Sequence, residues 1–191
     1  MIRRFLSSFM IFGNPFSGVA LTLALLLTGP SPLLATTDAT QEYRVKGAFL
    51  YNFILFVDWP AAAFATDQSP FTIGILGKNP FGTTLESLNS QSVKNRKIVV
   101  RSLASVEDAK ECQLLFISAS ERSRLDQILT ALHNTPVLTV SDLEGFVGDG
   151  GMIDFIILED KVRFEINLKE ALIAKLRISS QLLKLARDVI E

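Results

Sequence analysis

Few residues in this chain can do chemistry, and their types and spacing exclude more than they permit. His133 and Cys112 are each the only one of their kind, so neither a histidine and cysteine metal set nor a cysteine-histidine nucleophile pair can be assembled. A serine triad would need His133 as its base, and no Gly-x-Ser-x-Gly elbow accompanies it. His133 stands beside Asn134 at a predicted helix end, where a solvated or helix-capping imidazole is the ordinary role. The segment GKNPFG, from Gly77 to Gly82, has the outline of a phosphate loop. Thr83 and Thr84 follow where such a loop needs a lysine, so it reads as a tight strand-to-helix turn; the helix start behind it keeps some capacity for an anion. Gly148, Gly150 and Gly151 precede a strand, the reverse of the order a dinucleotide fingerprint needs. Asp142, Glu144, Asp149 and Asp154 are the one local gathering of acids, which solvated loop charges explain. No catalytic residue, cofactor or metal is assigned, and the chain reads as a non-enzyme.

The elements that would position a site are clearest in the last quarter. Gly148 to Gly151 mark a turn, and one of Gly150 and Gly151 is expected to adopt a backbone shape closed to other residues. Met152 to Leu158 is almost wholly apolar, a strand covered on both faces. After a turn at Glu159 to Lys161, Val162, Phe164 and Ile166 alternate with Arg163 and Glu165, which makes the returning arm of a β-hairpin. Asn167 then caps a helix, with Glu170 reaching back in a capping-box arrangement. Leu168, Leu172, Leu176, Ser179, Leu183, Ala186 and Ile190 recur at helical spacing, which predicts one long C-terminal helix lying on the sheet.

Upstream, Val45, Ala48, Phe49, Phe53 and Phe56 predict a first helix over residues 43–57, ending at Trp59 and Pro60. Its aromatics cannot all face one way, since Tyr51 sits about 200° around the helix from Phe49. The choice is between a core helix packed on two sides and one with an exposed aromatic contact surface, for which Tyr51 and Trp59 are the candidate partner-binding residues. Strands are expected at residues 71–76, 97–101, 113–117 and 136–140, with helical segments between them. That order predicts one α/β, Rossmann-like domain whose central sheet is mixed and largely parallel, flanked by helices, and closed by the hairpin and the long helix. A crevice beyond the strand ends would be open to a small ligand.

Residues 1–35 read as a secretory signal peptide: Arg3 and Arg4, an apolar run from Val19 to Leu27, then small residues up to Ala35. The apolar run falls short of the roughly 20 residues that a membrane span requires. Cleavage after Ala35 leaves residues 36–191 as one domain, with Thr36 to Gln41 as a loose polar lead, and takes the formal charge from −1 to −3. Such a balance offers no electrostatic footprint for nucleic acid or anionic lipid. A lone cysteine makes no internal disulfide, and Cys112, opening an apolar run, reads as a buried inert thiol.

Several segments together resemble one family. VKGAFLYNFILFVDWP at residues 45–60, FTIGILGKNPFG at 71–82, ECQLLFIS at 111–118, VLTVSDLEGF at 137–146, and GGMI, VRFEINL and ISSQLLKLA further on are similar to the YfiR family of periplasmic bacterial proteins. The resemblance implies a periplasmic regulatory binding protein that represses a membrane-bound diguanylate cyclase and so lowers cyclic-di-GMP signalling. Its partner would be an inner-membrane signalling protein. A homodimer and a small ligand stay open as further partners, with a small-molecule binding module as the alternative function and an unrecognised enzyme behind it. Relatives pair the Cys112 position with a cysteine on the first strand, where this chain has Gly74, so redox control through that bridge is not carried over.

Overall fold

A computed structural model describes residues 33–191, with side chains from residue 39 onward. The export segment expected over residues 1–35 lies almost wholly outside the described residues. Helix α1 runs from Leu33 to Phe56. Thr36 to Gln41, expected as a loose lead, is therefore helical: no proline or glycine stands between Ala35 and Tyr43 to stop the helix extending back from its packed second half. None of the described helices is long and apolar enough to cross a membrane.

After α1 come β1 (Val57–Asp58), a short 3-10 turn, β2 (Phe71–Leu76), a 3-10 segment over Thr84–Ser90, β3 (Ser92–Val93) and β4 (Arg96–Leu103). Then follow α2 (Val106–Ala109), β5 (Leu114–Ile117), a 3-10 segment over Ala119–Arg124, α3 (Leu125–Leu132) and β6 (Leu138–Ser141). The last part holds β7 (Ile153–Leu158), β8 (Lys161–Asn167), α4 (Leu168–Ile173), β9 (Arg177–Ile178), α5 (Ser180–Leu183) and β10 (Asp188–Ile190). Eight strands form one sheet in the order β10-β8-β7-β6-β5-β2-β4-β3, and β1 pairs with β9 apart from it. From β4 to β7 every neighbouring pair is parallel. The sheet is thus mixed and mostly parallel, as alternating short strands and helices predict.

Successive side chains of the inner strands go to opposite faces. Ile73, Ile75, Leu114 and Phe116 join α1 residues Leu50, Phe53 and Ile54 in one core, while Leu76, Leu115 and Ile117 join Leu125, Ile128 and Phe146 in the other. Both faces being covered explains why these strands are continuous apolar runs. The Rossmann-like regularity is met only in part, since β6 passes to β7 through an irregular loop and the other crossovers carry short helical pieces.

The hairpin is present but does not close the sheet. β7 and β8 pair antiparallel from Ile153 opposite Ile166 to Leu158 opposite Lys161. Glu159 and Asp160 both take positive φ, 51° and 57°, the backbone of a two-residue hairpin turn that matches strand twist. Outside β8 lies β10, parallel to it.

The long C-terminal helix is not formed. α4 ends at Ile173 because Lys175 turns left-handed at φ 61°, its N–H donating to Leu172 O and that of Leu176 to Ala171 O. These two bonds satisfy the last carbonyls of the helix and make a Schellman termination. Fully buried Leu176 anchors it from the far side. Ser179, a member of the predicted stripe, is instead the N-cap of α5, its Oγ accepting from Leu182 N at 3.3 Å.

Candidate functional site

α1 carries a lysine on its buried stripe. Lys46, Leu50 and Phe53 share one face, and packing of the apolar members fixes the roll of the helix so that Lys46 is only 3 % exposed. Its Nζ lies 2.5 Å from Glu42 Oε1 and 2.6 Å from Asp142 Oδ2. Tyr43 donates its hydroxyl to the same Asp142 oxygen at 2.8 Å. Burial first, and the Asp142 carboxylate second, push the Tyr43 phenol up. Asp142 directly follows β6, so this network ties the helix to the carboxyl end of a central strand. A cleft of about 400 Å³ opens over it, lined also by Ala119, Glu144, Phe155, Ile156 and Ile157.

One strand deeper, Asp154 is 1 % exposed and its Oδ1 has no hydrogen-bond partner. It stands opposite Ser141 on β6 and Glu165 on β8. Burial, reinforced by the Glu165 charge, pushes its carboxyl up to about 7, against the pull of a backbone hydrogen bond from Phe146. Of the four acids gathered in the sequence, Asp154 is thus buried and Asp142 is half-buried. Among the described residues no group of His, Cys, Asp and Glu is placed to hold a metal.

Two grooves flank α1. One, about 390 Å³, separates it from the hairpin and includes Gln41, Glu42, Val45, Phe49, Ile157 and Arg163. The other, about 350 Å³, separates it from the Thr84–Ser90 segment and includes Arg44, Ala48, Tyr51 and Asn52. Between them the outer side of the helix exposes Arg44, Ala48, Asn52 and Leu55. The large aromatics are not on that ridge. Phe49 and Phe53 pack with Phe155 and Phe164, so the helix is packed on more than one side. Tyr51 is half-buried at the margin of the second groove. Trp59 is half-buried beyond the helix, its indole N–H donating to Gln113 O at 2.8 Å and its ring edge-on to Phe71.

The crevice at the reversal of strand order, between β2 and β5, is filled. Ser120 Oγ accepts from Lys78 N at 2.9 Å, and a Cβ on Gly77 would lie 2.4 Å from Ser120 Oγ and 2.8 Å from the Glu121 side chain. Gly77 is at φ +89°, which lets the chain pass under that lid. GKNPFG is a tight turn closed by Asn79, whose Oδ1 accepts from Phe81 N and whose Nδ2 donates to Gly82 O. The 3-10 segment behind it is too short to serve as an anion site.

The residues singled out after Phe146 hold the loop before β7 and the start of α4. Gly150 is at φ +100°, and a Cβ on Gly151 would come within 2.1 Å of the Phe146 ring. Asn167 Oδ1 accepts from Glu170 N at 3.1 Å, and its Nδ2 donates to Val147 O at 3.0 Å. The capping box is not closed by Glu170: Asn167 N donates to Met152 O, and the Glu170 carboxylate lies 3.5 Å from His133 Nδ1. Asn167→Ala should cost about 1 kcal/mol for the lost cap, and more because Val147 O is left without its donor. Asn167→Asp keeps the cap alone, so chemical denaturation of both variants separates the two parts. Cys112 is buried and its thiol is pushed up to about 11 by that burial, an inert thiol facing Gly74.

Two solved structures resemble this fold weakly. A conserved domain protein from Vibrio cholerae O1 biovar El Tor is 12 % identical with a TM-score of 0.45, covering 62 % of this chain and 54 % of its own. The ABC domain in complex with L-Trp from Streptococcus pneumonia is 13 % identical with a TM-score of 0.47, covering 80 % of this chain and 60 % of its own. The chain therefore spans little more than half the length of either. Comparison with curated proteins finds no match. A family profile described as YfiR/HmsC-like does match, over residues 43–187, from the second half of α1 to the threshold of β10. With most of the described domain inside that match, the chain belongs to the YfiR/HmsC-like family.

Proposed function

We propose that this protein is a periplasmic regulator, exported by a segment ending near Ala35, that holds back a membrane-bound diguanylate cyclase and so lowers cyclic-di-GMP. The observation that carries this reading is the family match over residues 43–187. The geometry supports binding better than turnover. The buried Lys46 is spent on tying α1 to Asp142 at the end of β6, and α1 presents a narrow ridge with a groove along each flank. The partner contacts this ridge, with Tyr51 as an anchor at its margin. Trp59, the second candidate, sits beyond the end of the helix, where it packs on Phe71 and donates to Gln113 O. Deleting the gene should raise cyclic-di-GMP and increase matrix production. Restoring it as Tyr51→Ala should leave both high while the protein stays abundant. Full reversal by that variant would remove the ridge from the account. A second reading, a small-molecule binding module, is favoured by the cleft of about 400 Å³ above Lys46 and Asp142, a volume in the range of small-ligand sites.

A further inference from the structure

Met152 to Leu158 has the composition of a strand covered on both faces, yet only its first part is covered: Phe155 is 4 % exposed, whereas Ile157 and Leu158 are 52 % and 45 % exposed. The reason lies in the neighbouring strand. β6 ends at Ser141, opposite Asp154, and β7 runs on to Leu158 without it. The hairpin turn closes on Leu158 and Lys161, and Asn167 N donates to Met152 O, so the even-numbered residues of β7 bond to β8 and the odd-numbered ones turn their backbone groups the other way. By the slant of a parallel ladder, the N–H of Phe155 is the last that β6 can take, through Ser141 O. Phe155 C=O and the N–H and C=O of Ile157 meet no strand among the described residues. Such edges are ordinarily blunted by lysine, proline or a bulge; Phe155 to Leu158 holds neither a charge nor a proline. The cleft of about 400 Å³ above Lys46 occupies the place a longer β6 would fill, between Phe155 and Ile157 on one side and Ala119 and Asp142, which follow β5 and β6, on the other. Its charge is one-sided. Glu42, Asp142 and Glu144 line it against the single cation Lys46, which Glu42 and Asp142 already share. The Glu144 carboxylate makes no hydrogen bond or ion pair among the described residues, and Arg122 reaches only its carbonyl, at 3.2 Å.

We propose that this notch takes an extended segment of a partner protein, which adds to β7 as a short strand along Phe155 to Ile157 and sets a lysine or arginine against Glu144. The open groups run acceptor, donor, acceptor along the strand, a pattern that another extended backbone matches. Exposed Ile157 calls for a β-branched or aromatic neighbour on that segment, and the excess of carboxylate calls for a cation. A small cation alone would answer the charge and leave the ladder and Ile157 bare. The same run of β7 from a second copy would answer the ladder and bring no cation to Glu144. The inference stands apart from the cyclase reading, since Tyr51, the anchor there, does not line this cleft.

Selection of a random short-peptide library on the purified protein tests this, followed by amide exchange read by NMR. Enriched peptides should carry lysine or arginine among β-branched residues and bind with a Kd on the order of 10 µM. The Ile157 amide should exchange freely in the free protein and be protected in the complex. Glu144→Lys, at an exposed position, should raise the Kd at least about tenfold, and N-methylation of the peptide amides should abolish binding. A library with no enrichment, enriched peptides without a cation, an N-methylated peptide that still binds, or a Glu144→Lys protein that binds unchanged would each overturn the proposal. So would an Ile157 amide already protected in the free protein, which would mean that a second copy or another part of the chain covers the edge, or one still exchanging freely at saturating peptide, which would put the peptide elsewhere.

Discussion

Lys46→Met should destabilise the domain by about 3–5 kcal/mol, because it removes the cation and leaves a carboxylate buried without it. Asp142 receives Lys46 Nζ at 2.6 Å and the Tyr43 hydroxyl at 2.8 Å on one oxygen, and its side chain is 9 % exposed. Glu42 is a third exposed and can turn to water when the lysine is lost; Asp142 cannot. The double variant Lys46→Met/Asp142→Asn should therefore be more stable than Lys46→Met alone, since it takes away the stranded charge along with its partner. Urea denaturation of the four proteins closes that cycle. Equal losses in the single and double variants would show that the lysine acts through packing and not through charge.

Asp154→Asn should have the opposite sign and should stabilise the domain at neutral pH. The Asp154 carboxyl is pushed up to about 7 by burial and by Glu165, whereas an unfolded aspartate titrates near 4. Between those values the folded chain keeps a proton that the unfolded chain has released. Stability therefore falls as pH rises from about 4 to about 7, and the full penalty stands above that window. Its size is on the order of 2–4 kcal/mol at pH 8. The asparagine variant has no carboxyl to titrate, so its advantage should be largest at pH 8, shrink toward pH 4, and vanish below. Melting curves across that range check it, and an advantage independent of pH would mean that the Asp154 carboxyl titrates alike in the folded and unfolded chain.

Where local pattern and tertiary packing agree, the chain could be read from its residues. The strands over 71–76 and 113–117 are apolar runs bounded by turn residues, and both lie inside the sheet. The alternation of Val162, Phe164 and Ile166 registers against β7 as expected. The C-terminal helix failed because its leucine spacing is compatible with a helix while the stop signal is a left-handed lysine, not the glycine that usually marks one. Thr36 to Gln41 failed for the converse reason: polar residues gave no periodicity, yet nothing in them breaks a helix. Tyr51, singled out by its place around the helix, lies half-buried at the margin of the second groove and not on the exposed ridge. The buried network could not be singled out, because Lys46 and Asp142 are 96 residues apart and only the fold brings them together. The available signal was a lysine at the helical spacing of Leu50 and Phe53, a charge on the side that must face the core.

The central claim is that this domain acts by contact with a membrane-bound cyclase, and affinity capture tests it most directly. The full-length protein, tagged and produced in its own host, would be recovered from solubilised inner membranes and its partners identified by mass. The account predicts a diguanylate cyclase that co-purifies with the wild type, and with Asn167→Asp as a folded control, but not with Tyr51→Ala. Recovery of the folded protein from the periplasm with no membrane protein attached would contradict it.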